Sequence, residues 1–234
     1  MGVKDIQKRL RTLGDHEKAI ILQKFFKTGP GEYGEGDVFL GITVPQLRKL
    51  AKAYQGISVK EAEQLLQSSI HDERLLSLFI LVLQYAKGDH AGKKRIYALY
   101  VKNIRFVNNW DLVDGSAPHI VGAYLMDKSK KPLYGLAKSK SLWARRIAIM
   151  STFHFIKENT FTETLKISER LLADQEDLIH KAVGWMLREV GKRHLPTEET
   201  FLKAHYKNMP RTMLRYAIEK FPESKRQRYL KGTM

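Results

Sequence analysis

Two aspartates three residues apart stand in the segment Trp110-Asp111-Leu112-Val113-Asp114. A carboxylate next to an indole is suited to a reaction that builds positive charge, since the anion supplies field and an aromatic face attracts cationic or electron-poor groups. The surroundings make the pair informative. Between Arg74 and Lys157 there are 15 Lys and Arg residues but only four acids, Asp89, Asp111, Asp114 and Asp127. Acids weaken a surface whose only task is to grip phosphate. For Asp111 the favoured reading is a buried ion pair with Arg105, Arg145 or Arg146; for Asp114 it is chemistry.

The other reactive types narrow the field. There is no cysteine, which excludes disulfides, thiolate nucleophiles and Zn–Cys or iron–sulfur sites. Eight histidines are scattered, and none has the H-E-x-x-H spacing of a zinc helix, so no metal and no cofactor is expected. His119 and His180 lie near the candidate residues and suit either phosphate contact or a structural role. The glycine-rich run Gly31-Glu32-Tyr33-Gly34-Glu35-Gly36 follows no strand and lacks the Lys-Ser/Thr of a phosphate loop; it reads as a loop that orders the N-terminal helices or touches the binding partner through its backbone. Of the three tryptophans, Trp143 is assigned to the core, whereas Trp110 and Trp185 are weighed as site residues against the same core reading.

The elements that must position these residues are helices. Apolar residues recur with helical period, and the period-2 alternation with tight Asn-Gly or Asp-Gly turns of an all-β chain is missing. Ser58 with Glu61 and Thr160 with Glu163 predict capping boxes at two helix starts. Lys27 to Gly41, with five glycines and a proline, predicts a loop. Leu75 to Leu83 is too short to span a bilayer, where ~20 apolar residues are needed, and reads as a buried helix. The start of the chain resembles neither a signal peptide nor a myristoylation site, so the expectation is a cytoplasmic protein with no membrane role.

A weak internal repeat is anchored at Arg74, Asp111, Arg146, Lys181 and Arg211, with spacings of 37, 35, 35 and 30 residues. Such a period with two helices per unit predicts an all-α solenoid of HEAT-like repeats: one domain, residues 1–234, with N-terminal helices and loop over 1–41 and repeats over 42–234. Counted from the anchors at about 100° per residue, Trp110, Arg146, Asp114 and Trp185 share one sector of the second helix, which predicts that they line one concave groove. The formal charge of +16, concentrated in the middle repeats, predicts a polyanionic partner, nucleic acid above all.

These residues resemble a known family. Asn109-Trp110-Asp111-Leu112-Val113-Asp114, Trp143-Ala144-Arg145-Arg146-Ile147-Ala148, Lys181-Ala182-Val183-Gly184-Trp185-Met186-Leu187-Arg188-Glu189, the loop Phe39-Leu40-Gly41 with Pro45 and Arg48, and Met209-Pro210-Arg211 with Arg215-Tyr216-Ala217 are together similar to DNA glycosylases of the AlkD type, HEAT-like-repeat enzymes of DNA alkylation repair. Asn109 stands where some members carry a second aromatic. The resemblance implies release of cationic N3- and N7-alkylpurines from duplex DNA by a monomer. It implies Asp114 as the catalytic carboxylate, Trp110 and Trp185 as the active-site aromatics, and Arg146 as the groove arginine. Arg145, Lys181, Arg188, Arg211 and Arg215 are expected to join Arg146 on the DNA. The competing expectation is a non-catalytic repeat module that binds distorted or branched DNA.

Overall fold

A computed structural model describes residues 2–234. The chain adopts the expected all-α repeat architecture; among the described residues there is no strand, only an isolated parallel bridge between Val38 and Ile70. It divides into two compact units, residues 1–120 and 121–234.

In the first unit, helices α1 (Val3–Leu13), α2 (His16–Phe25), α3 (Val44–Tyr54), α4 (Val59–Leu66), α5 (His71–Lys87), α6 (His90–Lys102) and α7 (Trp110–Asp114) follow in order. The predicted apolar run lies in α5, against which α3 and α4 both pack. Leu76, Leu78, Ile80 and Leu81 are fully buried, and so are the polar residues of the first turn, His71 to Arg74. The Ser58–Glu61 capping box starts α4 as expected, each side chain bonding the other residue's backbone N–H. The predicted loop runs between α2 and α3. Gly41 within it has φ +82°, and a Cβ there would lie 2.1 Å from the Asp15 carbonyl oxygen, so only glycine lets the loop pass this close to α2.

In the second unit the helices are α8 (Ala123–Leu125), α9 (Lys131–Ala137), α10 (Leu142–Lys157), α11 (Thr162–Arg170), α12 (Asp177–Gly191), α13 (Leu195–His205), α14 (Arg211–Ala217) and α15 (Glu223–Lys231). Helix α10 packs on α9, α11 and α12, and α12 on α13 and α14. At Gly184 a Cβ would sit 2.4 Å from the Met213 carbonyl oxygen, which explains the glycine inside α12 as the point where α14 crosses closest. The repeat anchors Arg74, Asp111, Arg146, Lys181 and Arg211 all fall on the second helix of a pair, in α5, α7, α10, α12 and α14. The capping box expected at Thr160 does not form. Helix α11 begins two residues later behind Phe161, in helical conformation, because Glu163 accepts the Tyr134 hydroxyl and the Thr160 hydroxyl turns back to the Glu158 carbonyl.

Glu198 in the first turn of α13 is 2% exposed and lies against Gly191. Burial, with the charge of Glu199 added, pushes its pKa up to about 8, against the opposing pull of Arg188 and Lys225. The folded protein therefore holds a proton that the unfolded chain releases near 4.5, and stability falls as pH rises between these values. Urea unfolding across that range should show wild type losing stability relative to Glu198→Gln, with the two curves parallel outside it.

Candidate active site

Helix α7 has five residues, too few to hold its shape unaided, since isolated helices shorter than about 12–15 residues are marginal. Trp110 and Asp114 are its first and last residues, one turn apart on one face. Both are partly exposed, while Leu112 and Val113 between them are buried. Beside Asp114 lies the buried Tyr100, whose hydroxyl pairs with Ser116 Oγ at 3.0 Å; burial, opposed by that bond but reinforced by the Asp114 charge, keeps the phenol protonated well above its ordinary range.

The other aspartate of the motif turns into the unit. Asp111 Oδ2 lies 2.9 Å from His71 Nε2, and the opposite ring nitrogen, Nδ1, lies 3.0 Å from Asp37 Oδ2. Asp37 also accepts from Arg74 Nη2 at 2.5 Å and from Asn109 Nδ2 at 3.2 Å. The predicted buried ion pair of Asp111 thus exists, but its partner is His71 rather than any of the three arginines. A neutral imidazole would turn a lone pair toward one of the two carboxylates, so His71 is the doubly protonated cation. Burial alone would lower its pKa; the charge and hydrogen bond of Asp111, with the bond to Asp37, outweigh that and raise it. For Asp37, burial would raise the pKa, and the His71 bond and Arg74 charge bring it below the usual carboxylate value.

Aromatic packing runs parallel to this polar chain. Trp110 stacks on Phe26 at 5.1 Å, Phe26 on Phe39 at 4.9 Å, and Phe39 on the His71 ring at 4.2 Å. Phe25 meets Trp110 edge-on. The loop that supplies Asp37 and Phe39 is pinned to the start of α5 by His71 N–H donating to the Val38 carbonyl and by Asp72, whose carboxylate accepts from Leu40 and Ile42 N–H at 2.7 and 3.0 Å. An apolar cavity of about 300 Å³ between α2, this loop and α3 has Asp72 and Asp111 in its wall, each with both oxygens already accepting hydrogen bonds.

In the second unit, Trp185 is partly buried on α12 beside Phe153, its indole N–H directed at Glu189 Oε1 at 3.3 Å. Glu189 is in turn held by Lys192 and Arg193. Arg146 is buried on α10 and donates to the Leu178 carbonyl. The Arg145 guanidinium is taken up by a two-point pair with Asp174 and by the Ser139 and Lys140 carbonyls, which tie the entry of α10 to the turn before α12. Lys181 pairs with Asp177 along the surface of α12, and Arg188 with Glu219. Arg211 and Arg215 are exposed on α14, with Arg211 also reaching the Leu230 carbonyl.

Asp37 and His71 escape a reading by motif, and so does the role of Asn109 within its motif. Their partners are 34, 40 and 72 positions away in the chain, beyond any helical spacing. The available signal was charge accounting, since two buried acids on either side of α5 require a cation between them. Asn109 is fully buried and works as a strut: Oδ1 accepts the Trp110 N–H at 2.8 Å while Nδ2 donates to Asp37.

A family model described as DNA alkylation repair enzyme matches residues 6–221. A solved structure titled as a predicted DNA alkylation repair enzyme from Enterococcus faecalis superposes with a TM-score of 0.68 at 16% identity, covering 90% of this chain and 97% of its own. AlkD2 from Streptococcus mutans gives 0.54 at 20% identity over 89% and 99% of the two chains. The protein smu.31 from Streptococcus mutans UA159 gives 0.53 at 20% over 88% and 98%. No curated protein matches in sequence.

Removing the strut tests its weight. Asn109→Ala should lower unfolding free energy by about 1–2 kcal/mol through the lost cap and the donor withdrawn from Asp37. Asn109→Asp should cost more at neutral pH, because it sets a like charge against the buried Asp37; denaturant unfolding of both variants decides.

Proposed function

This chain belongs to the family of DNA alkylation repair enzymes, and on that premise we propose that it is a DNA glycosylase that hydrolyses the N-glycosidic bond of positively charged alkylated purines in duplex DNA. The observation that carries the reading is the division of labour within α7. Asp111 is spent on His71, which leaves Asp114 as the one carboxylate of the motif on the face shared with Trp110.

Glycoside hydrolysis ordinarily uses two carboxyl groups, one to protonate the leaving group and one to act at the sugar. An N3- or N7-alkylated purine already carries a positive charge. It departs with the electrons of the C1′–N bond as a neutral base and needs no general acid. What remains is to stabilise the oxocarbenium-like sugar and to direct water to C1′, with the water's proton passing to solvent. Asp114, as an anion, supplies the field and orients that water, and Trp110 packs its indole against the deoxyribose. The family resemblance gives Trp185 the same kind of contact and Arg146 the role of holding a backbone phosphate near the lesion and keeping Asp114 deprotonated.

Duplex binding draws on the basic surface. Arg215 and Arg211 are exposed, and Lys181 is held by a solvated pair with Asp177 of the kind that contributes little and exchanges readily for phosphate. Arg188 would have to leave Glu219 to do the same, while Arg145 acts through the Asp174 clamp on the shape of α10. The enzyme works on this proposal as a cytoplasmic monomer without a cofactor. Among the described residues no helix is long and apolar enough to cross a membrane.

Release of 7-methylguanine or 3-methyladenine from methylated duplex DNA tests the proposal. Wild type should release both, and Asp114→Asn should be slower by about 10²–10³-fold with duplex affinity kept, as for loss of one preorganised electrostatic group. Affinity should fall steeply with salt, in proportion to the phosphates contacted. Retained duplex binding with no release by wild type would leave the non-catalytic DNA-binding module as the better account; equal release by Asp114→Asn would remove that residue from the chemistry.

A further inference from the structure

Resting on that reading, we propose that His71 is a positioning residue for base release: gripped between Asp37 and Asp111, it fixes the placement of α7 and so holds Trp110 and Asp114 where they meet the substrate. Three consecutive residues carry the argument. Asn109 is tied to Asp37 at 3.2 Å, Trp110 reaches His71 through the Phe26 and Phe39 rings, and Asp111 meets the imidazole at 2.9 Å. Each leads back to the same group of side chains at the start of α5, so a single fixed point sets both the rotation and the height of a helix too short to set its own.

The charge at that point is shared by groups from every element around it. Asp37 comes from the loop, Asp111 from α7, and Asp72 and Arg74 from α5 itself, while Lys18 of α2 lines the adjoining cavity and is paired with Asp15. Glu73 turns the other way, to Gln7 and Arg11 of α1. Loss of the imidazolium proton leaves a single ring N–H, so one of the two carboxylates loses its donor; Asp37 has Arg74 and Asn109 to fall back on, whereas Asp111 has besides His71 only the Leu112 N–H among the hydrogen bonds described. The weak point on deprotonation is therefore the joint to α7. With its pKa raised by the two carboxylates against the opposing effect of burial, His71 holds α7 most firmly below that pKa and less firmly as pH rises through it, since the positive charge is lost whichever ring N–H remains.

A packing role alone would change stability, whereas a positioning role changes the rate of bond cleavage at unchanged binding. Single-turnover release of 7-methylguanine at saturating enzyme, followed across pH, separates them when paired with amide exchange over residues 107–116. Asp111→Ala should be slower by about 100-fold, the scale of an ångström-sized misplacement, with duplex affinity within about twofold of wild type. Asp111→Asn, whose amide oxygen still accepts from His71, should keep more of the rate. His71→Gln should be slow and lack the alkaline fall shown by wild type. In Asp111→Ala and His71→Gln, amides 107–116 should exchange faster while those of 142–157 stay protected, which also shows that the variants are folded. Wild-type rates in both variants, or unchanged exchange over 107–116, would overturn the proposal. If wild type released no base, the glycosylase reading would fail by itself, and the exchange measurement would still decide whether His71 holds α7.

Discussion

A cation buried between two carboxylates holds the start of α5, the loop before α3 and helix α7 to one point. Neither Asp37 nor His71 is more than 6% exposed, and an unpaired charge at that depth would cost several kcal/mol. Three groups from three separate chain segments satisfy one another there, and Arg74 and Asn109 complete the shell. The consequence reaches well beyond local stability. Helix α7 has no length of its own from which to draw order, so its geometry is whatever this cluster and the ring stack beside it impose.

The same cluster sorts the two acids of the Trp-Asp-Leu-Val-Asp segment. Residues three apart on a helix are near neighbours, but Asp111 is drawn inward to His71 while Asp114 stays at the partly exposed end of α7 beside Tyr100. Asp111 is tied into the structure of the unit, and Asp114 is the carboxylate that the proposed reaction uses. That arrangement suits a leaving group that brings its own positive charge and is unsuited to one that must be protonated, which is the physical link between the fold and the proposed reaction.

Much of this was legible in the chain. Helical periodicity, the Ser58 cap, the glycine loop and the buried run at Leu75 to Leu83 all correspond to observed elements, because each is set by neighbours within a turn or two. The repeat anchors likewise fall on the second helix of each pair. The Thr160 cap is absent because a hydroxyl partner on α9 claims Glu163, and Asp111 pairs with His71, 40 positions away, in place of an arginine. Both differences have a tertiary origin: which polar side chain meets Glu163 or Asp111 is settled by how separate helices pack, and the spacing of residues along the chain does not report it.

The central claim is that one carboxylate suffices because the departing base is already charged. The most direct measurement compares release of 7-methylguanine and of hypoxanthine, a purine of similar shape that carries no positive charge, from otherwise identical duplexes under single-turnover conditions. The account predicts release of the methylated base alone; release of hypoxanthine at a comparable rate would require a proton donor that the proposed mechanism lacks and would contradict it.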